Sequence, residues 1–219
     1  SFIQVGGNAY LGAFDFSDDD NGNIAIVYAD GEIVDGWSTD SIGGDSLSEE
    51  LRALRSEDDI QAVVLRVNSP GGSAYASEQI LREVELLRES GKTVVVSMGA
   101  VAASGGYWIA SRADAIVAQA STITGSIGVF GMFPNYQQLR EKIGVNVQPV
   151  KTGKYADVFG LSRSKSADEL ALFQKSVDRV YEDFLDRVTS GRGLERDAVH
   201  EIAQGRVWTG AQALELGLV

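Results

Sequence analysis

Three short apolar runs, each closed by a turn and followed by residues on a helical spacing, constrain this chain more than any other feature. They are Asn23–Tyr28 (NIAIVY), Ala62–Val67 (AVVLRV) and Thr93–Met98 (TVVVSM). Such runs, rich in Val and Ile and with little polar alternation, predict buried strands of a parallel sheet. The first continues through Asp30-Gly31 into Glu32–Val34 and then into a loop over Asp35–Asp45. After it, Leu47, Leu51 and Leu54 share one helical face, with Ser46 or Ser48 as the capping residue. After the second, Ile80, Leu81, Val84 and Leu87 mark a helix over Ala76–Ser90 that Gly91 stops. Strands alternating with helices predict an α/β fold: a mostly parallel sheet covered by helices.

The third run leads into small residues, Gly99-Ala100-Val101-Ala102-Ala103, which predict a tight corner, and Ser104-Gly105-Gly106 then opens a helix to Ala110. A hydroxyl there sits at a helix N-terminus, where free N–H groups favour developing negative charge. An ordinary N-cap serine has the same signature. The second run ends in Asn68–Ser73, NSPGGS, whose glycines let the backbone approach a ligand and aim N–H groups at it. A plain strand–helix turn would use the same residues. A phosphate loop is not indicated, because neither G-x-x-x-x-G-K-[ST] nor G-x-G-x-x-G is present. Both stretches fall at the same edge of a parallel sheet, where open α/β folds bind ligands.

Further along, Ala115–Ala118 predicts a short strand and Ser121–Gly131 (STITGSIGVFG) an unusual backbone. A helix over Asn135–Ile143, a strand over Val145–Val150 and a loop over Lys151–Ser166 follow. A long amphipathic helix over Ala167–Ser190 carries Leu170, Phe173, Val177, Val180, Tyr181, Phe184 and Val188 on one face. Helices over Glu195–Ala203 and Thr209–Leu216 close the chain. Residues 23–219 are thus expected to form one domain. Residues 1–22, rich in Gly and Asp, read as an arm or linker whose Tyr10, Leu11, Phe14 and Phe16 suit packing on a partner.

Net charge is −12, which argues against nonspecific nucleic-acid binding. Cysteine is absent, which removes disulfides, thiolate catalysis and Cys–zinc sites. The only histidine, His200, falls in a polar helical context and reads as a surface residue, not as a base for Ser104. No apolar run reaches transmembrane length and no signal-peptide pattern opens the chain. A start at Ser1 and an end on Gly217-Leu218-Val219 suggest a piece of something longer.

The stretches NSPGGS, AVAASGGYWIA, TITGSIGV and GRVWTGAQALELGLV, in that order, resemble the signal peptide peptidase A (protease IV) family of serine peptidases across nearly all of 24–219. The resemblance implies the crotonase/ClpP-like spiral of ββα units and a Ser–Lys dyad. It makes Ser104 the nucleophile, Ser126 a serine that holds the lysine amine, and the Gly71 and Gly72 backbone, with an amide near Ser104, the oxyanion hole. It implies no cofactor and no metal. As partners it implies signal peptides as substrates, an assembled ring of several units and a membrane-anchored parent facing the periplasm or outer side.

At the base the sequence departs from the family. The family lysine lies in G-x-[YH]-K-[SD], whereas Gly153-Lys154-Tyr155-Ala156-Asp157 places Ala156 at that position. A dyad lysine must be neutral to accept the serine proton, through burial or a neighbouring cation. Three readings follow: the C-terminal half of a tandem protein whose N-terminal half supplies the lysine, a single-domain peptidase whose lysine was replaced, or Lys154 as the base. A solvated loop lysine is the competing account of Lys154. From other functional classes, a crotonase-type acyl-CoA enzyme and a non-catalytic assembly module share the expected fold.

Overall fold

Strands β1 (Ile24–Asp30), β4 (Ala62–Ser69) and β5 (Thr93–Ala103) form the parallel centre of the sheet, with Ile24 beside Ala62 and Ala62 beside Thr93. The computed structural model describes residues 23–219, so the arm expected over residues 1–22 lies outside the described residues. Strands β2 (Ile33–Val34) and β3 (Ile42–Gly43) form a small parallel pair: β2 falls in the expected continuation Glu32–Val34, and β3 in the stretch Asp35–Asp45 expected to be loop. β6 (Ala115–Val117) and β7 (Ile123–Gly125) both run parallel to β5, and β8 (Val207–Thr209) closes the sheet antiparallel to β7. The main sheet therefore runs β1-β4-β5-β7-β8 with β6 at the side of β5.

Burial explains the strand sequences. Val63, Leu65 and Val67 of β4, and Val94, Val96 and Met98 of β5, are buried. The alternate residues Val64, Arg66, Val95 and Ser97 are half-buried, so the sheet has one deep face and one shallower face. Helices α1 (Gly44–Ser56) and α2 (Ala74–Glu89) contribute Leu47, Leu51, Leu54, Ile80, Leu81, Val84 and Leu87 to the core. The buried carboxylate of Glu83 on α2 joins them, accepting from Arg52 at 2.7 Å and Arg55 at 2.8 Å.

The structure corrects several local expectations. The small-residue stretch after Met98 is no corner: β5 continues to Ala103. Its pairing with β4 slips there, from Val67 opposite Met98 to Ser69 opposite Ala102. Asn68 Oδ1 fills the slip by accepting the Val101 N–H at 3.2 Å, and a Cβ on Gly99 would come within 2.8 Å of that oxygen. Small residues are needed for this crowding, not for a turn. Helix α1 starts at Gly44 behind Gly43, without a side-chain cap, and the Ser46 hydroxyl donates to Gly43 O at 3.2 Å. The strand expected at Val145–Val150 does not form; with no neighbouring strand, Val150 is 98% exposed.

The described residues fall into two compact units, residues 23–128 with Asp183–Val219, and Val129–Glu182. The first also holds α3 (Gly105–Ala110), α6 (Arg196–Ile202) and α7 (Gly210–Glu215), the last with a full capping box at Thr209 and Gln212. The second contains α4 (Gln137–Lys142) and the start of α5 (Ala167–Arg192). Phe133 stacks on Phe173 at 3.9 Å there, and Arg163 bridges Asp157 at 2.6 Å and Glu169 at 2.8 Å. Arg163 holds both carboxyls below the usual range, Glu169 at about 2.

Glu50 on α1 has one carboxylate oxygen buried without a hydrogen-bond partner, and burial pushes its carboxyl up to about 7 from 4.5. A raised carboxyl favours folding at low pH, and that contribution is lost as pH climbs from 4.5 through about 7. Glu50→Gln should therefore match the parent in urea unfolding near the lower value and exceed it above the upper one. Parallel stability profiles for the two proteins would show that Glu50 ionises without cost.

Candidate active site

The site is built where β4 and β5 end. Ser104, between β5 and α3, has φ +53° and ψ −121°, a conformation that L residues rarely adopt. Its N–H donates to Gly125 O at 2.9 Å, and its own carbonyl accepts the Trp108 N–H at 2.9 Å. The side chain makes no capping hydrogen bond, so Ser104 is no ordinary N-cap serine. The flanking Ala103, Gly105 and Gly106 are buried while Ser104 is half-buried.

The Gly71-Gly72 turn presses against that corner. A Cβ on Gly71 would lie 2.6 Å from Gly105 N and 2.8 Å from Ser104 Cβ, and φ is +101°. Ile33 of β2 fixes the turn from the other side: its N–H donates to Gly71 O at 2.8 Å, and its carbonyl accepts the Ser73 N–H at 2.8 Å. Ser73 caps α2 through Ala76 N at 3.2 Å and donates its hydroxyl to Asp35.

The amides of the turn are not equivalent. Gly71 N–H donates to Ser69 Oγ at 3.1 Å and is engaged. Gly72 N–H and Gly105 N–H have no acceptor among the described residues. They are neighbours, since a Cβ on Gly105 would come 3.2 Å from Gly72 N. The expectation that Gly71 and Gly72 both donate is thereby narrowed: Gly72 and Gly105 offer free N–H groups beside Ser104, and Gly71 does not. Gly105 directly follows the serine, the one signal from which sequence could have named it.

Ser126 lies next to Gly125, whose carbonyl holds Ser104, so β7 brings the two serines to the same place. Ser126 also has positive φ, +50°, and its N–H donates to Arg206 O at 2.7 Å. Trp108 anchors the helix behind Ser104: its indole N–H donates to Glu78 at 2.9 Å, its ring meets Phe184 at 4.4 Å, and Arg187 clasps Glu78 at 3.1 Å.

The two candidate lysines, Lys151 and Lys154, lie in the second unit. Lys154 is 65% exposed and paired with Asp168 at 2.6 Å; that hydrogen bond pushes its amine further up and keeps it charged, opposite to what a base requires. Lys151 pairs with Asp157 at 2.8 Å. Ala156 is exposed within a run of turns. His200 is exposed on α6 beside Gln204.

A serine at a strained strand–helix corner, faced by two free amides at the edge of a parallel sheet, is an arrangement suited to acyl transfer. The fold is similar to that of a ClpP1 variant from Listeria monocytogenes, with a TM-score of 0.54 and 16% identity over 90% of this chain and 88% of that one. Residues 25–123 match Clp protease, and residues 86–219 match peptidase family S49. The chain is 46% identical over 198 residues to Protease 4 of Haemophilus influenzae, covering 90% of this chain and 32% of that protein. It is 43% identical over 202 residues to the chloroplastic serine protease SPPA of Arabidopsis thaliana, covering 90% of this chain and 30% of that protein. The chain belongs to peptidase family S49, with the ClpP-like α/β fold expected from its motifs. It spans about a third of the length of these relatives.

The corner stores strain that function, not stability, explains. A non-glycine residue in such a region costs about 1–3 kcal/mol. Ser104→Gly should therefore raise unfolding stability by about 1 kcal/mol, net of the entropy that glycine adds to the unfolded chain, and Ser104→Ala should not. Equal stability of the two variants in chemical denaturation would mean that the corner is relaxed.

Proposed function

We propose that this chain is the nucleophile-bearing part of a serine endopeptidase that degrades cleaved signal peptides. The observation that carries the reading is the unbonded pair of amides, Gly72 and Gly105, beside the strained Ser104. In this account Ser104 Oγ attacks the scissile carbonyl while a neutral lysine takes its proton. The oxyanion settles between the two amides, where fixed dipoles act without reorganising. The resulting ammonium protonates the leaving amine, and water then hydrolyses the acyl-enzyme with the amine again as base.

The lysine is assigned to another part of a longer protein. Support comes from Ala156 at the family position, from the ion pairs that engage Lys151 with Asp157 and Lys154 with Asp168, and from the share of the relatives that the chain spans. Ser126, next to the carbonyl that holds Ser104, is the residue assigned to orient that amine. Signal peptides as substrates, a multi-subunit ring and a membrane-bound parent rest on the family resemblance. Among the described residues no helix is long and apolar enough to cross a membrane, so a membrane anchor is assigned to a segment outside this chain. The acyl-CoA alternative shares the fold but has no support from the family that the chain matches.

The test is labelling by a serine-directed fluorophosphonate, on this chain alone and on the complete protein that contains it. Strong labelling of Ser104 in the complete protein, with little in the chain alone, is expected. Strong labelling of the isolated chain that Lys154→Ala abolishes would move the base to Lys154. Failure of Ser104 to label in either sample would leave only an assembly role.

A further inference from the structure

We propose that Ser69 is a positioning residue that decides which amide of the Gly71-Gly72 turn receives the oxyanion. This rests on the reading of Ser104 as nucleophile. Ser69 is the last residue of β4, with 0% of its surface exposed, and it pairs with Ala102 of β5. Its Oγ accepts the Gly71 N–H at 3.1 Å. Gly106 crowds it from behind, where a Cβ would lie 2.8 Å from Ser69 O and 3.2 Å from Ser69 Cβ.

An inventory of donors in the turn shows what that hydroxyl does. Pro70 has no N–H. Gly71 N–H is taken by Ser69, and Ser73 N–H is taken by Ile33 O at 2.8 Å. Gly72 N–H is the one left, and it lies beside Gly105 N–H. Glycine at both positions gives the turn freedom that other residues lack, with φ of +101° and +149°. Ile33 hydrogen-bonds the turn at Gly71 O and Ser73 N–H and packs its backbone against Gly72, but makes no hydrogen bond to the Gly71 N–H. Among the described residues, the peptide plane between Pro70 and Gly71 is held on its amide side by Ser69 alone. Without the hydroxyl, the Gly71 N–H is buried and unpaired, and the turn gains a competing arrangement that satisfies it. Preorganisation of the Gly72 donor is lost, although no atom of Ser69 is assigned a contact with substrate.

Removing an oxyanion donor outright costs about 100- to 1,000-fold in kcat, so loosening one should cost less, about 10- to 100-fold, with KM nearly unchanged. The experiment compares Ser69→Ala, Ser69→Cys and Ser69→Thr in the complete protein, measuring kcat, KM and the inhibition constant of a peptide boronate. The boronate forms a tetrahedral adduct on Ser104 and so reports the oxyanion site directly. Expected is a parallel loss of kcat and boronate affinity in the Ala and Cys variants, and recovery in the Thr variant, which keeps an oxygen acceptor. In the isolated chain, amide hydrogen exchange at Gly71 should accelerate in the Ala variant. If Ser69→Ala does not fold, the Cys and Thr pair carries the comparison. Unchanged kcat and boronate affinity in a folded Ala or Cys variant, or a rise in KM alone, would overturn the proposal. A parent enzyme in which the boronate forms no adduct on Ser104 would instead overturn the nucleophile reading on which it depends.

Discussion

The hydrogen bond from Ser104 N–H to Gly125 O connects the elements on which the site depends. It fastens the end of β5 to β7 at the point where the backbone takes a conformation that a serine resists. The side chain of this serine makes no hydrogen bond to the helix it precedes. The helix N-terminus then keeps its first N–H, that of Gly105, free. Strain, a serine that does not cap its helix and a vacant donor are three consequences of one backbone geometry. The crowding at Gly71, where any Cβ would strike Gly105 N, brings the second donor to the same place.

Electrostatics divides the chain differently. The first unit presents dipoles suited to an anion, but the two lysines near the family position belong to the second unit, where each is paired with a carboxylate. A charged amine cannot act as base, and Lys154, largely exposed, lacks the burial that would neutralise it. In the proposed account this chain supplies the part of an acyl-transfer site that stabilises charge, and the group that moves the proton comes from another part of a longer protein.

Much of this was legible in the sequence, for physical reasons that differ by element. The aliphatic runs Ala62–Val67 and Thr93–Met98 announce the buried parts of β4 and β5, and spacing announces the helix behind Ser73. Ser104 and Ser126 were named through a family resemblance, which no periodicity supplies. The bulge at Gly99 has the sequence of a corner, because small residues serve close packing and turns alike. Val145–Val150 has the composition of a strand, but pairing requires a neighbour that composition does not reveal. The choice of Gly72 over Gly71 was invisible, since it depends on where the Ser69 hydroxyl lies once β4 is folded.

The account stands most directly on where an oxyanion would go. A crystal structure of the complete protein with a peptide aldehyde bound covalently to Ser104 measures this. The hemiacetal oxygen is predicted within about 3 Å of both Gly72 N and Gly105 N, with Gly71 N still bonded to Ser69. An oxygen directed at Gly71 N, or away from both free amides into solvent, would contradict it.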